Sequence, residues 1–153
     1  MNVTAAREEH IPQIVELWKD LMDLHKKFDP FFSRRPDGDA RFTEFLKTSI
    51  ASPDSHAFVA LDGNKVAGYC LGSISSHPPV YLVEKYGYIF DMMVLPTYRK
   101  QKVATDLLNA MIRWFASRGI QRVELTTAVN NKTGKQFWKK QGFQEYMNVM
   151  YRE

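Results

Sequence analysis

The sequence predicts an α+β fold, a mixed central β-sheet flanked by helices, and three observations carry that expectation. Residues 57–74 hold two β-rich runs on either side of Asp62-Gly63-Asn64-Lys65, and Asp-Gly suits a tight turn that needs positive φ, so the runs pair as an antiparallel hairpin. Residues 88–115 pass from an apolar run broken only by Asp91, through Pro96 and a basic loop, into Val103, Leu107, Leu108, Met111, Ile112 and Phe115 at helical spacing. Residues 122–129 then alternate, with Val123, Leu125, Thr127 and Val129 on one face. Strand, helix and strand in that order require a parallel pair, so the sheet is mixed.

Taken in order, residues 2–7 suit a short edge strand. From Pro12 onward Ile14/Val15, Trp18, Leu21/Met22 and His25 recur at helical spacing, and proline costs nothing in a first helical turn. Residues 28–38 break that helix with Pro30, Pro36 and Gly38 while carrying Phe28, Phe31 and Phe32, an aromatic loop with something to cover. A second helix is expected over 39–50 and closes at Ser52-Pro53, followed by strands at 57–61 and 66–74. A loop over 75–86 leads into the central strand, 86–94. Its helix is expected from Arg99 to about Ser117, ended by Gly119 as a left-handed cap. After the strand at 122–129, a helix over 131–141 is capped by Gly142, and 143–151 reads as a last strand. No repeat or linker interrupts the 153 residues, which bound one domain, 1–153.

Composition excludes several classes. A 44% hydrophobic and 25% charged chain is neither disordered nor collagen-like. One cysteine, Cys70, rules out an internal disulfide framework, and it is expected to be a buried, reduced thiol. His10, His25, His56 and His77 lack metal-ligand spacing, so no metal is expected. The N-terminal residues lack the apolar core of a signal peptide and no run approaches membrane-spanning length, so a cytoplasmic protein with no membrane partner is expected. A net charge of +4 favours anionic partners. With neither a helix-turn-helix nor an RNA-binding aromatic pattern, nucleic acid is not expected among them.

The basic loop is where an anion fits. A helix start has backbone N–H groups without intrahelical partners and a positive dipole end, which favour an anion by roughly 0.3–2 kcal/mol, and Arg99, Lys100 and Lys102 add charge there. A phosphate-bearing ligand is the natural occupant.

At this point the sequence resembles the GNAT superfamily of acetyl-coenzyme A dependent N-acetyltransferases. That family's pyrophosphate signature, [RQ]-x-x-G-x-[GA] after a strand ending V-x-P, reads here as Arg99-Lys100-Gln101-Lys102-Val103-Ala104 after Val94-Leu95-Pro96. Its second pattern, N-x-x-A-x-x-x-[YF]-x-x-x-G-F, reads as Asn131-Lys132-Thr133-Gly134-Lys135-Gln136-Phe137-Trp138-Lys139-Lys140-Gln141-Gly142-Phe143. The resemblance covers nearly the whole chain. It implies acetyl-CoA as cosubstrate and direct transfer of acetyl to a primary amine on a small molecule or peptide, with no covalent enzyme intermediate. It implies that the pantetheine arm pairs with Met92, Met93 and Val94, and that the loop residues Arg99, Lys100, Gln101, Lys102, Val103, Ala104 and Thr105, together with Asn131 and Trp138, contact the cofactor. Met93 is the expected backbone donor to the developing oxyanion.

Three positions depart from the family pattern. Lys102 replaces a glycine: in a left-handed conformation it costs about 1–2 kcal/mol, whereas a right-handed conformation would let its ammonium bind the ligand. Trp138 stands where many members have a tyrosine that protonates the leaving thiolate. An indole cannot give up its proton in this role, so Trp138 reads as a catalytic position by alignment and as a core residue by chemistry. A free thiolate costs only about 2 kcal/mol at pH 7, so the loss is bearable. Phe90 replaces a glutamate that helps deprotonate the amine, which leaves the adjacent Asp91 as the nearest acidic candidate. Freeing an alkylamine at pH 7 costs about 4.6 kcal/mol, so a base is useful. Phe28, Asp29, Phe32, Tyr81 and Tyr86 are the candidate acceptor contacts, with Phe31, Tyr88 and Glu84 nearby. The alternative reading is a CoA-binding module of the same fold without turnover. The apolar last strand makes a homodimer possible.

Overall fold

The computed structural model describes residues 1–153. Its strands are β1 (Asn2–Ala5), β2 (Ser55–Asp62), β3 (Lys65–Ser76), β4 (Lys85–Val94) and β5 (Val123–Glu124). Its helices are α1 (Ile11–Phe28), α2 (Gly38–Ala51), α3 (Val103–Ser117) and α4 (Lys132–Lys140), with single 3-10 turns at Glu8–His10, Pro30–Phe32 and Pro96–Tyr98. The strands lie in the order β1-β2-β3-β4-β5. All pairs are antiparallel except β4 with β5, which is parallel, so the sheet is mixed as expected.

Alternation along β3 explains the two cores. Tyr69 and Leu71 point to the face covered by α1 and α2, where they meet Ile14, Leu17, Phe42 and Leu46. Cys70 points to the other face, among Leu107, Leu108, Met111 and Phe115 of α3. Each such side chain contributes about 1.5–3 kcal/mol by leaving water. Cys70 is fully buried and unpaired, and burial pushes its thiol pKa up, so it is the inert thiol the sequence suggested. Phe115 fits because Gly87 lies beneath it: a Cβ on Gly87 would come 2.6 Å from the Phe115 ring. The hairpin turns at Gly63, with φ +60. No helix is long and apolar enough to cross a membrane.

Four expectations are corrected. The helix after the basic loop begins at Val103, not Arg99, because Lys100 and Lys102 both have positive φ. The strands around the 75–86 loop run further than expected and shorten it to residues 77–84. The strand expected over 122–129 contracts to Val123–Glu124. The strand expected over 143–151 is absent: residues 144–153 make no backbone hydrogen bond, and the segment is held near β5 by the side chain of Tyr146 alone, which donates to Glu124.

Candidate active site

The site is made by the end of β4 and the start of α3. The turn at Pro96–Tyr98 is fixed to the β2–β3 hairpin by the Tyr98 hydroxyl, which donates to Asp62 at 2.8 Å. The Arg99 side chain folds back and donates from Nε to the Val94 carbonyl at 3.3 Å, and Gln101 donates from Nε2 to the Thr97 carbonyl at 3.0 Å. Lys100 (φ 61) and Lys102 (φ 64, ψ 5) are left-handed, and Lys102 is the N-cap of α3. The result is a row of backbone donors: none of the N–H groups of residues 100–105 has a backbone acceptor, and none donates to a side chain. Neither Arg99, Lys100 nor Lys102 has a carboxylate within 4.0 Å, although most other arginines of the chain do. Left-handed Lys102 followed by the right-handed first turn of α3 forms a concave nest of N–H groups that suits an anion. Lys102 therefore takes the strained conformation, and the right-handed alternative is set aside.

The β4–β5 pair is short. Only Gly87 with Val123 and Tyr88 with Glu124 are in register, so β4 has a free edge from Ile89 to Val94. On its other edge β4 pairs with β3 throughout, with a bulge that leaves Phe90 unmatched between Ile89 and Asp91. The bulge reverses the phase of the strand. Before it, Gly87 donates its N–H toward β5, to the Arg122 carbonyl at 2.8 Å; after it, Leu95 donates toward β3, to Ala67 at 2.9 Å. Backbone groups alternate along a strand, so Met93 directs its N–H toward β3 while Met92 and Val94 direct theirs into the open gap. The Val94 carbonyl is likewise free of the ladder, which is why Arg99 can reach it. The expected role of Met93 as a donor on the open edge is corrected by this phase.

The same bulge brings Phe90 and Asp91 to the face of α1 and α2. Phe90 packs edge-on against Phe45 of α2 at 5.9 Å and against Tyr88 at 5.1 Å. Asp91 is half-buried, and burial pushes its pKa up to about 6 against the opposing influence of His25 on α1. His25 Nδ1 lies 2.9 Å from the Leu21 carbonyl, to which it donates, and the ring is held by that bond. Phe28 and Phe32 pack edge-on against His25 at 5.8 and 5.3 Å, while Asp29 accepts from the Phe31 N–H at 2.9 Å through Oδ1 and so caps the turn at Pro30–Phe32. Buried beneath, the Tyr69 hydroxyl has no hydrogen-bond partner. Sequence reasoning passed over His25 for want of metal spacing. Its signal was a titratable ring on the apolar stripe of α1.

Tyr86 and Tyr81 lie elsewhere on the face. Tyr86 stacks on His77 at 4.1 Å and Tyr81 meets His77 edge-on at 6.2 Å. His77 Nε2 pairs with Glu124 at 2.8 Å. Burial alone would raise the Glu124 pKa, but hydrogen bonds from Tyr146, Arg122 and His77 outweigh it and hold the carboxylate ionised. On α4, Asn131 accepts from the Gly134 N–H at 3.0 Å as the helix N-cap, and Gln141 reaches Thr105 at 3.4 Å, tying α4 to the start of α3. Trp138 packs between Phe137 and Phe143 on the α3-side core.

Comparison with known proteins bears on the family and the fold. The family model described as "Acetyltransferase (GNAT) family" matches residues 18–143. An N-alpha-acetyltransferase 30 from Schizosaccharomyces pombe is 32% identical over 93 residues, which are 61% of this chain and 60% of that protein, so the aligned part spans about three fifths of the relative. A predicted acetyltransferase from Clostridium acetobutylicum, solved with acetyl-CoA, superimposes with a TM-score of 0.82 at 23% identity over 99% of this chain and 95% of its own. An aminoglycoside antibiotic 6'-N-acetyltransferase from Acinetobacter haemolyticus gives 0.80 at 19% identity, covering 100% and 97%.

Proposed function

The chain belongs to the GNAT acetyltransferase family, and from that premise we propose that it is an N-acetyltransferase moving acetyl from acetyl-CoA to a primary amine of a small molecule or peptide. The observation that carries the proposal is the row of unsatisfied N–H groups over residues 100–105 beside three unpaired cations, a site with the chemistry of a pyrophosphate. The fit extends along β4, whose free edge can take an amide-bearing arm as an added strand takes its neighbour. Acetyl-CoA, when bound, supplies acetyl activated as a thioester.

The chain's own residues do the rest. Residues Arg99, Lys100, Gln101, Lys102, Val103, Ala104 and Thr105 hold the phosphates, and Met92 and Val94 hold the arm through their backbone. The N–H that stabilises negative charge at the reacting carbonyl is that of Met92, which faces the gap, rather than that of Met93. Asp91 takes the proton of the amine: a carboxylate with pKa about 6 is ionised at neutral pH yet more basic than an exposed one. Phe90, Phe45 and Tyr88 wall the acceptor beside it, with Phe28 and Phe32 at its far end around His25. Trp138 packs between Phe137 and Phe143 in the α3-side core, and the leaving thiolate departs without a protein acid. The peptide α-amine is supported by the S. pombe relative, and a small polyamine by the aminoglycoside enzymes.

The test is calorimetric titration with acetyl-CoA, then thiol release over a panel of peptide N-termini, polyamines and aminoglycosides. Saturable binding with turnover on one amine class is expected. Binding without turnover on any amine would make the chain a CoA-binding module, and no binding would overturn the site.

A further inference from the structure

We propose that the acceptor is a peptide α-amine followed by bulky apolar and then acidic side chains, which occupy a cavity between α1 and α2; this rests on the acetyl-transfer reading and narrows its substrate class. The cavity holds about 350 Å³ and is lined by Trp18 and Met22 of α1, Phe42 and Phe45 of α2, and Arg34, Arg35 and Arg41. That is the size of a ligand site. Its walls follow from the helices: Trp18 and Met22 are four residues apart and Phe42 and Phe45 three, so each pair shares a face. Trp18 stacks on Phe42 at 4.5 Å. Gly38, the first residue of α2, keeps room beside the indole, since a Cβ there would come 3.3 Å from the Trp18 ring.

A line of rings joins this cavity to the reacting end. Phe42 lies 6.2 Å from Phe45, and Phe45 lies 5.9 Å from Phe90, the neighbour of Asp91. Phe45 and Phe90 are 43% and 44% exposed, so both offer a face to a bound chain. Two such steps are spanned by about three to four residues of extended peptide. With the amine at Asp91, the side chains of the second and third residues then reach the cavity.

Charge decides which amines fit. The carboxylates around the cavity are already taken: Arg34 holds Asp23 at 3.2 Å and Asp39 at 3.5 Å, and Lys19 also holds Asp39 at 3.0 Å. Asp37 accepts from the Nε atoms of both Arg35 and Arg41, at 3.0 and 2.7 Å. Two guanidiniums share that one carboxylate, so the rim keeps a net positive charge, and each arginine still has its terminal N–H donors to give. An acidic side chain finds charge-assisted donors there. A polyamine or an aminoglycoside finds no uncommitted carboxylate and meets the arginines instead.

The test is thiol release from acetyl-CoA with peptides that are apolar at their second and third residues and acidic at the next two, against versions with serine for the apolar pair or lysine for the acidic pair, and against a linear triamine and an aminoglycoside. Calorimetric titration of the same peptides onto CoA-saturated protein reads the preference without turnover. The apolar-acidic peptide should exceed the serine version by about tenfold or more in kcat/KM, and the lysine version by several-fold. Phe45→Ala should shrink the first ratio. Arg35→Glu with Arg41→Glu, both exposed positions, should invert the second and favour the lysine peptide. A ratio taken within one protein is unmoved by a general loss of folded enzyme. Transfer that favours the triamine, the aminoglycoside or the lysine peptide would overturn the cavity's assignment and keep the acetyltransferase reading. Selective peptide binding without transfer would do the reverse. Ratios indifferent to Phe45→Ala and to the charge reversal would overturn the assignment outright.

Discussion

Replacing Lys102 with glycine should make the protein more stable and its hold on acetyl-CoA weaker. The lysine sits at φ 64, ψ 5, a conformation that costs an L-residue with a Cβ about 1–2 kcal/mol. Glycine removes that cost but loosens the unfolded chain, which takes back about 0.4–1 kcal/mol. The net gain is about 0.5–1 kcal/mol, or about 1–4 °C in Tm for a domain of this size. The ammonium, exposed and without a carboxylate partner, gives a bound phosphate about 0.2–1 kcal/mol, so its loss should raise the Kd by about 1.5- to fivefold. Lys102→Ala separates the two effects, since it loses the charge and keeps the strain. Urea denaturation with calorimetric titration of acetyl-CoA measures both quantities on all three proteins. The reasoning fails if Lys102→Gly is no more stable than Lys102→Ala, or if either variant binds acetyl-CoA more tightly than wild type.

Three further outcomes follow from the same structure. Asp91 has a folded pKa of about 6 against an ordinary 3.8, so the folded state prefers the proton. The stability this brings is whole below pH 3.8 and is lost as pH rises through about 6. Asp91→Asn should therefore be up to about 3 kcal/mol more stable than wild type at pH 7 in a urea titration, yet should lose the limb of kcat/KM that rises through pH 6. Gly87→Ala drives a methyl into the Phe115 ring and should destabilise by about 1–3 kcal/mol, read as a lowered Tm, with a tolerant Tm arguing against this packing. Asn131→Ala removes the cap of α4 and should cost about 1 kcal/mol, with faster exchange at the amides of 133–135 and an unchanged α3.

What was legible in the sequence was whatever is decided by neighbours along the chain. The helical stripes of α1 and α3, the Asp-Gly hairpin and the strand ending at Pro96 all follow from local periodicity and turn chemistry, and they put the basic loop between a strand and the start of α3, where the structure has it. Alternation alone could not say whether 122–129 and 143–151 would find partners. A strand is a relation between two segments, and β5 ends where β4 swings away from it. The influence of His25 on Asp91 joins residues of α1 and β4 across the fold, so no spacing rule would find it.

The bulge at Phe90 is the clearest case of a functional detail hidden from periodicity. Counting along an uninterrupted strand from Gly87, whose N–H faces β5, gives Met93 a donor on the open edge. One unmatched residue moves that donor to Met92 and Val94. The same residue brings an aromatic ring and a carboxylate side by side on the face where the acceptor would enter. In an uninterrupted strand the pairing of a side chain on the α1–α2 face with the next residue's N–H on the β5 edge would fall on Phe90 and Asp91, and the unmatched residue moves it to Asp91 and Met92. Because β4 and β5 are paired only at Gly87 and Tyr88, that edge is open there: Asp91 presents its carboxylate to the α1–α2 face while Met92, next in the chain, directs its N–H to the gap.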